Sequence, residues 1–159
     1  RAVTDGLQLV RDQDPSVRHW RDLTLEHVAS VGRQAPILGR RLRHGVTENA
    51  RVLAMVEALR AGGTVRAGRL LDESHASLRD DYAVSSMELD TLAELARGTP
   101  GVWGARMVGA GFGGCVLALA DADLSDAALD RLLRTYADQT ARTGSVYRMS
   151  PGPGAERLA

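Results

Sequence analysis

The segment of this sequence best suited to binding a ligand is a glycine-rich run at residues 109–114, Gly-Ala-Gly-Phe-Gly-Gly. Gly109, Gly111 and Gly114 match the spacing Gly-x-Gly-x-x-Gly, which in dinucleotide-binding proteins leads from a strand into a helix. The segment that follows here is Cys-Val-Leu-Ala-Leu-Ala, which has neither helical periodicity nor a cap. The run is therefore a poor match to a dinucleotide site.

Two interpretations of the glycine run stay open from the residues alone. Glycine adopts positive φ without steric cost, so the run could be a tight hairpin turn between two strands. The glycines are nevertheless more numerous than a two-residue turn requires. A wider loop without side chains would let backbone N–H groups converge on an anion or a ligand.

A second group of polar residues, Arg79 to Tyr82, could also do chemistry. The neighbouring carboxylates of Asp80 and Asp81 are suited to acid–base work or to binding Mg²⁺. We instead expect them to form a charge network at a helix end, together with Arg79 and Tyr82. For His75, in the same segment, we expect a structural or interface role.

Several other side chains have functional and structural interpretations side by side. Arg40, Arg41 and Arg43 could bind phosphate, but a solvated helix face or a domain interface is the expected role. Arg106 is expected to form a salt bridge, and Cys115 to be an inert packing residue at the start of a buried strand.

The aromatic and metal-ligating residues give weaker signals. Trp103 and Phe112 could stack on a sugar; we expect Trp103 in the core and leave both roles open for Phe112. The histidines are scattered, so no metal site is predicted. They lie at His19, His27, His44 and His75.

Composition excludes several functional classes. The chain has 159 residues, the size of one domain, and a formal net charge of zero, so it shows no sign of a nucleic-acid or membrane partner. All 20 basic residues are Arg, which excludes a P-loop and Schiff-base chemistry that need Lys. A single cysteine and the absence of a long apolar run predict a cytoplasmic protein. The sequence opens at Arg1 rather than Met, which suggests a fragment or a cleaved product.

The elements expected around the glycine run are mainly helices. Residue spacing predicts a long helix over 36–60. Its core-facing side is a mostly apolar stripe of Leu42, Val46, Asn49, Leu53 and Val56. Short helices are predicted within 1–33, one of them over 25–31 with Thr24 as its cap. The elements predicted after the long helix are a helix capped by Thr64, a helix opened by a Ser85–Glu88 capping box, strands at 101–108 and 115–120, a helix over 126–142 and a strand at 145–149.

This order predicts an α+β domain whose helices pack on one face of a small, largely antiparallel sheet. The predicted domain covers residues 1–149, and residues 150–159 are expected to form a flexible tail because they are rich in Pro and Gly.

Several segments resemble the GHMP kinases, and among them the galactokinases. GARMVGAGFGGC at 104–115 is similar to the third conserved GHMP motif in its galactokinase version. ESHASLRDDYAVSSMELD at 73–90 resembles the galactokinase segment around SLRDDYEVS. RHGVTENARV at 43–52 and RDLTLE at 21–26 resemble the RHVVTEN and RDVTLE segments, in the same order.

The resemblance implies a fold, a reaction and a site. Galactokinases transfer the γ-phosphate of ATP to the anomeric hydroxyl of galactose with Mg²⁺, in a cleft between two domains. The second domain has an α+β layer, and its glycine loop helps shape the phosphate and sugar site. Carried over by position, the cleft loop is Gly109, Ala110, Gly111, Phe112, Gly113 and Gly114. The implied partners are an N-terminal kinase domain, in the same or a separate chain, and a small sugar.

The departures from the family pattern matter equally. The N-terminal sugar motif, the Ser-rich nucleotide loop and the segment with the catalytic Asp are not in this sequence, so no catalytic residue is predicted. ATP and Mg²⁺ are implied for a complete enzyme, not for this chain alone, which we expect to be inactive. Val108 stands where the family usually has Thr, and Met87 where it often has Pro.

Two alternatives to a galactokinase module remain. One is a GHMP kinase that acts on another sugar or small alcohol. The other is a stand-alone, non-catalytic binding module, which we would expect to self-associate in order to cover its apolar surface.

Overall fold

A computed structural model describes residues 2–152, and within them the backbone forms helices and one β-hairpin. Residues 153–159 of the predicted tail lie outside the described residues. The elements are α1 (Ala2–Gln13), a 3₁₀ turn (Trp20–Asp22), α2 (Leu25–Gln34), α3 (Pro36–Arg60), α4 (Thr64–Ser77), a π-helical turn (Leu78–Tyr82), α5 (Met87–Arg97), β1 (Val102–Val108), β2 (Cys115–Ala120) and α6 (Asp126–Thr140). The predicted α+β class is confirmed. In this part of the chain, no helix is both long and apolar enough to cross a membrane.

Most of the predicted helix starts are confirmed. The Oγ1 of Thr24 accepts a hydrogen bond from the His27 N–H at 3.3 Å and caps α2, and α3 begins at Pro36. Thr64 was predicted to cap α4, but it is the first residue of that helix and follows Gly63, which has no capping side chain.

The start of α5 differs from the predicted Ser85–Glu88 capping box. Ser86 is the cap, and its Oγ accepts from the Leu89 N–H at 3.3 Å. The Oγ of Ser85 donates instead to Asp90 Oδ1 at 2.5 Å. The predicted cap was wrong by one residue. The hydroxyl of Ser85 donates to the Asp90 carboxylate, and Ser86 takes the capping position.

A first apolar cluster joins α1, α2 and the first half of α3. Its buried members are Leu7, Val10, Val17, Leu23, Val28, Val31 and Leu42. The second half of α3 contradicts the predicted inner face, since Leu53 is 69% and Val56 is 41% exposed. There the buried position is Ala58, because α3 changes its packing partner to α4 along its length.

The hairpin forms the second layer, with α4 against the outer edge of β1. The helix and the strand touch through backbone at Gly68 and Gly104. A Cβ added at Gly68 would lie 2.0 Å from the Trp103 carbonyl oxygen, and one added at Gly104 would lie 2.0 Å from the Gly68 carbonyl oxygen. Only glycine at both positions permits this approach.

Two side chains of α4 satisfy the outward N–H groups of β1. Asp72 Oδ1 accepts from the Ala105 N–H at 2.8 Å, and His75 Nδ1 accepts from the Met107 N–H at 3.1 Å. A strand edge normally exposes such groups, and covering it with a helix protects it. The helix therefore replaces a neighbouring strand on this side.

The inner face of the hairpin packs on α5 and α6. Ala105 and Met107 are buried. Trp103, which was predicted in the core, is 38% exposed. A bulge between Val102 and Gly104 shifts the alternation, and the Trp103 Nε1–H donates to Asp121 Oδ1 at 2.9 Å.

The outer face of β2 and the last predicted strand also differ from expectation. Cys115 is exposed rather than packed, and Leu117 is 43% exposed. Residues 145–149 form no strand, and Tyr147 is 82% exposed. Both predictions required a neighbour to bury these side chains, and the described residues provide none there.

The close contact of α4 with β1 predicts opposite effects of two Gly→Ala changes within helices. Gly68→Ala should lower the free energy of unfolding by about 1–3 kcal/mol because its Cβ has no room. Gly32→Ala is the matched control: its Cβ would meet only Gly39 Cα at 3.9 Å. It should gain up to about 1 kcal/mol from helix propensity. Urea unfolding measures both values, and equal effects of the two changes would contradict the packing described.

Candidate functional site

The glycine run is the loop of the β1–β2 hairpin. Val108 and Cys115 are the last paired residues of the two strands, so residues 109–114 lie between them. The loop is therefore wider than a two-residue turn. Val108, which stands where the GHMP kinases usually have Thr, lies at the base of the loop and is 44% exposed.

Backbone conformation explains why the loop is rich in glycine. Positive φ angles recur along it, a region that side chains with a Cβ rarely adopt. The values are 97° at Gly109, 82° at Gly111, 56° at Phe112, 152° at Gly113 and 110° at Gly114.

One side of the loop is held against the segment that joins the π-helical turn to α5. The Phe112 N–H donates to the Val84 carbonyl oxygen at 2.7 Å. A Cβ at Gly111 would lie 2.7 Å from the same oxygen, so glycine is required for this approach. The Met107 Cε lies 3.4 Å from that position and completes the contact.

The other side of the loop is open. A Cβ added at Gly109 or Gly113 would meet nothing within 4 Å. Among residues 2–152, the N–H groups of Gly109, Ala110, Gly111 and Gly113 have no backbone acceptor. Phe112, whose role was left open, is 74% exposed and so lies outside the core.

This geometry suits an anionic or strongly polar ligand. Unpaired N–H groups of a preorganised loop carry partial positive charge and need no side chain. The nearby Arg106 does not add a free cation, because its Nη1 lies 2.8 Å from Glu48 Oε1. Recognition at this loop would thus depend on backbone dipoles.

Glu48 is the centre of a polar network that spacing did not reveal. Its Oε1 accepts from Arg106 Nη1 at 2.8 Å and from Ser74 Oγ at 2.6 Å. Its Oε2 accepts from Arg51 Nε at 3.1 Å. The predicted salt bridge of Arg106 is confirmed, and it ties β1 to α3. The i,i+3 placement of Glu48 and Arg51 was the only sequence signal of this network.

His75 has the structural role that was expected. It is 0% exposed, and its Nδ1 accepts from the Met107 N–H. Its Nε2 lies 3.2 Å from Asp90 Oδ1, within ion-pair distance but not aligned as a hydrogen bond. Burial lowers the pKa of His75, opposed in part by the Asp90 carboxylate.

The acidic cluster forms the predicted helix-end charge network. Arg79 donates to Asp80 with Nε–Oδ1 at 2.8 Å and Nη2–Oδ2 at 2.9 Å, and this pairing lowers the pKa of Asp80. Asp81 accepts from Ser77 Oγ at 3.2 Å and from Arg43 Nη1 at 3.3 Å. In the described part of the chain, no three metal-ligating side chains come together.

The arginines of α3 divide into two kinds. Arg41 donates to the Asp81 carbonyl and Arg43 to its carboxylate, so both fix the π-helical turn. Arg40 is exposed on the helix surface. Arg40 therefore lies on the expected solvated helix face, whereas Arg41 and Arg43 bind within the domain.

Comparison with known proteins identifies the family. The model of the family described as "GHMP kinases C terminal" matches residues 55–138. The chain belongs to this family. The matched residues include α4, α5, both strands and the glycine loop.

Individual relatives of this GHMP kinase C-terminal domain are galactokinases. The chain is 41% identical over 151 residues to the galactokinase of Chloroflexus aggregans, and the match covers 94% of this chain and 39% of the relative. It is 45% identical over 123 residues to that of Enterococcus faecalis, covering 77% of this chain and 32% of the relative. The chain thus spans about a third to two fifths of the length of these relatives.

A solved structure shows the same likeness. The galactokinase of Lactococcus lactis, crystallised in complex with galactose, superposes with a TM-score of 0.84 at 37% identity. The match covers 92% of this chain and 38% of the other. The role of residues 109–114 in ligand binding stays a prediction, since the comparison concerns the fold.

The buried His75 predicts a pH dependence of stability. Because burial holds its pKa below the ordinary 6.5, the unfolded chain takes up a proton first as pH falls. The stabilisation is full above about pH 6.5 and is lost as pH falls through the lowered value of the folded state. His44, whose pKa burial also lowers, acts in the same direction.

Urea unfolding at pH 8, 6.5 and 5 (roughly bracketing the unfolded pKa) measures this dependence. His75→Asn keeps an acceptor near the position of Nδ1 but does not titrate. It should be less stable than the parent at high pH, and the difference should shrink as pH falls. A difference that stays constant with pH would show that His75 does not carry the effect.

Proposed function

We propose that this chain is the C-terminal domain of a galactokinase, in which residues 109–114 line the cleft where ATP and galactose react. The observation that carries the proposal is the open glycine loop on a fold that matches a galactokinase at a TM-score of 0.84. The GHMP kinase family implies use of ATP. The sugar, nucleotide and catalytic groups would come from an N-terminal domain.

The part played by the loop would be electrostatic positioning. Phosphoryl transfer depends mainly on holding the phosphate oxygens in place and stabilising their charge. The N–H groups of Gly109, Ala110 and Gly113 are suited to this, because they are unpaired within residues 2–152 and unobstructed by side chains. The positive φ angles at the glycines give these groups their arrangement in the structure.

The described residues are better suited to binding an anion at the loop than to holding a metal ion. They bring together no set of three carboxylate, histidine or cysteine ligands. We therefore propose that Mg²⁺, which neutralises phosphate charge in such kinases, is held by the substrate phosphates and by the other domain. This chain alone should not phosphorylate galactose.

A matched pair of variants tests the role of the loop in a complete enzyme that carries this domain. Gly109→Ala and Gly62→Ala both place a Cβ at positive φ, 97° and 67°, where nothing lies within 4 Å. Only Gly109 lies in the loop, whereas Gly62 ends α3. Steady-state kinetics with ATP and galactose should show that Gly109→Ala lowers kcat/KM about tenfold to a hundredfold, because the added methyl group disfavours the positive φ that orients the loop's N–H groups. Gly62→Ala should stay within about twofold, since strain alone acts on stability.

Equal kinetics for the two variants would contradict the role of the loop. Turnover of ATP with galactose by the isolated 159-residue chain would contradict the division of labour between domains. A complete enzyme that phosphorylates another sugar and rejects galactose would retain the GHMP assignment and overturn the substrate.

A further inference from the structure

His75 lies where three elements meet behind the glycine loop. It belongs to α4, its Nδ1 accepts from the Met107 N–H of β1 at 3.1 Å, and its Nε2 lies 3.2 Å from Asp90 Oδ1 of α5. Since Nδ1 accepts, the ring proton is on Nε2 and faces the carboxylate. A single neutral ring therefore connects the strand that enters the loop with the first turn of α5.

Asp90 continues this connection to the loop itself. The Ser85 Oγ donates to Asp90 Oδ1 at 2.5 Å, and Ser85 directly follows Val84, whose carbonyl accepts from the Phe112 N–H at 2.7 Å. The Oδ1 of Asp90 is thus approached by two donors, one from α4 and one from the segment that holds the loop.

The contacts of His75 and Asp90 fix the loop at two places, the end of β1 and the segment at Val84. The loop leaves β1 just after Met107, and it touches the protein again at Val84 through Gly111 and Phe112. Met107 and Leu89 pack together in a small apolar cluster beneath it. Because His75 is fully buried, a shift of its ring would move at least one of the two attachments.

We propose that His75 and Asp90 are positioning residues for the glycine loop, acting through Met107 and through the Ser85–Val84 segment. They hold the loop in the conformation in which, among residues 2–152, the N–H groups of Gly109, Ala110 and Gly113 have no backbone acceptor. The ligand that the loop holds follows from the proposed function, but the positioning itself does not depend on it.

The test compares two substitutions at the same carboxylate, followed by amide hydrogen exchange of the 159-residue chain. Asp90→Ala removes the acceptor of the Ser85 hydroxyl and the carboxylate that faces His75 Nε2. It should raise exchange at the Phe112 amide roughly tenfold relative to the amides of α1 and α2, as expected for losing one partly buried hydrogen bond. Asp90→Asn keeps an oxygen in place and should raise it by less than about threefold, since acceptor geometry is retained.

Leu132→Ala is the control for simple destabilisation. Leu132 is buried in a different cluster, with Ala93 and Ala105, and does not belong to the His75–Asp90 connection. It should speed exchange throughout its layer without singling out Phe112. The same selective increase at Phe112 in this control, or no increase in Asp90→Ala, would overturn the proposal.

His75 gives an independent second variant, and the complete enzyme gives a second readout. His75→Ala removes the Met107 acceptor and should raise exchange at both the Met107 and Phe112 amides; an increase at Met107 alone would overturn the connection. In a complete enzyme, Asp90→Ala should lower kcat/KM and Asp90→Asn should restore most of it. If exchange changes as stated but the complete enzyme has no galactokinase activity, the proposed function is refuted and the positioning role of His75 and Asp90 stands.

Discussion

The structure depends on the edge-on contact between α4 and β1. A hairpin of two strands has little stability by itself and exposes unpaired backbone groups on both edges. Here the glycines at 68 and 104 let the helix approach the strand closely, and Asp72 and His75 accept the N–H groups that a third strand would otherwise pair. The sheet can therefore end at β1 without leaving buried donors unsatisfied.

This contact also determines where the glycine loop lies. Asp72 and His75 bind the edge of β1 that β2 leaves free, and Glu48 holds β1 through Arg106. None of these contacts involves the hairpin tip. The loop then needs only its contact with Val84 to have a defined position. Support from helices and a tip rich in glycine suit the phosphate-binding role that we propose for the loop, because N–H groups without a backbone acceptor lie at an open tip.

Much of the local structure followed from the sequence, because it is set by neighbouring residues. Thr24 as a cap, Pro36 as a helix start and the strands on both sides of the glycines follow from local rules. Trp103 was misplaced because a bulge, which no spacing shows, shifts its strand by one residue. The network of Glu48 was missed since its partner Arg106 is 58 residues away. Such contacts depend on how the helices pack, and periodicity describes only the face that each helix presents.

Native-state amide exchange at Ala105 and Met107 is the most direct test of the contact between α4 and β1. If α4 covers the edge of β1, these two amides exchange only when the domain unfolds, and they belong to the slowest in the chain. Their protection should equal that of the buried helix residues Ala93 and Ala96. Exchange at Ala105 and Met107 as fast as at the exposed residues of β2 would show that the edge is open to water, and the contact on which the fold and the loop depend would not exist in solution.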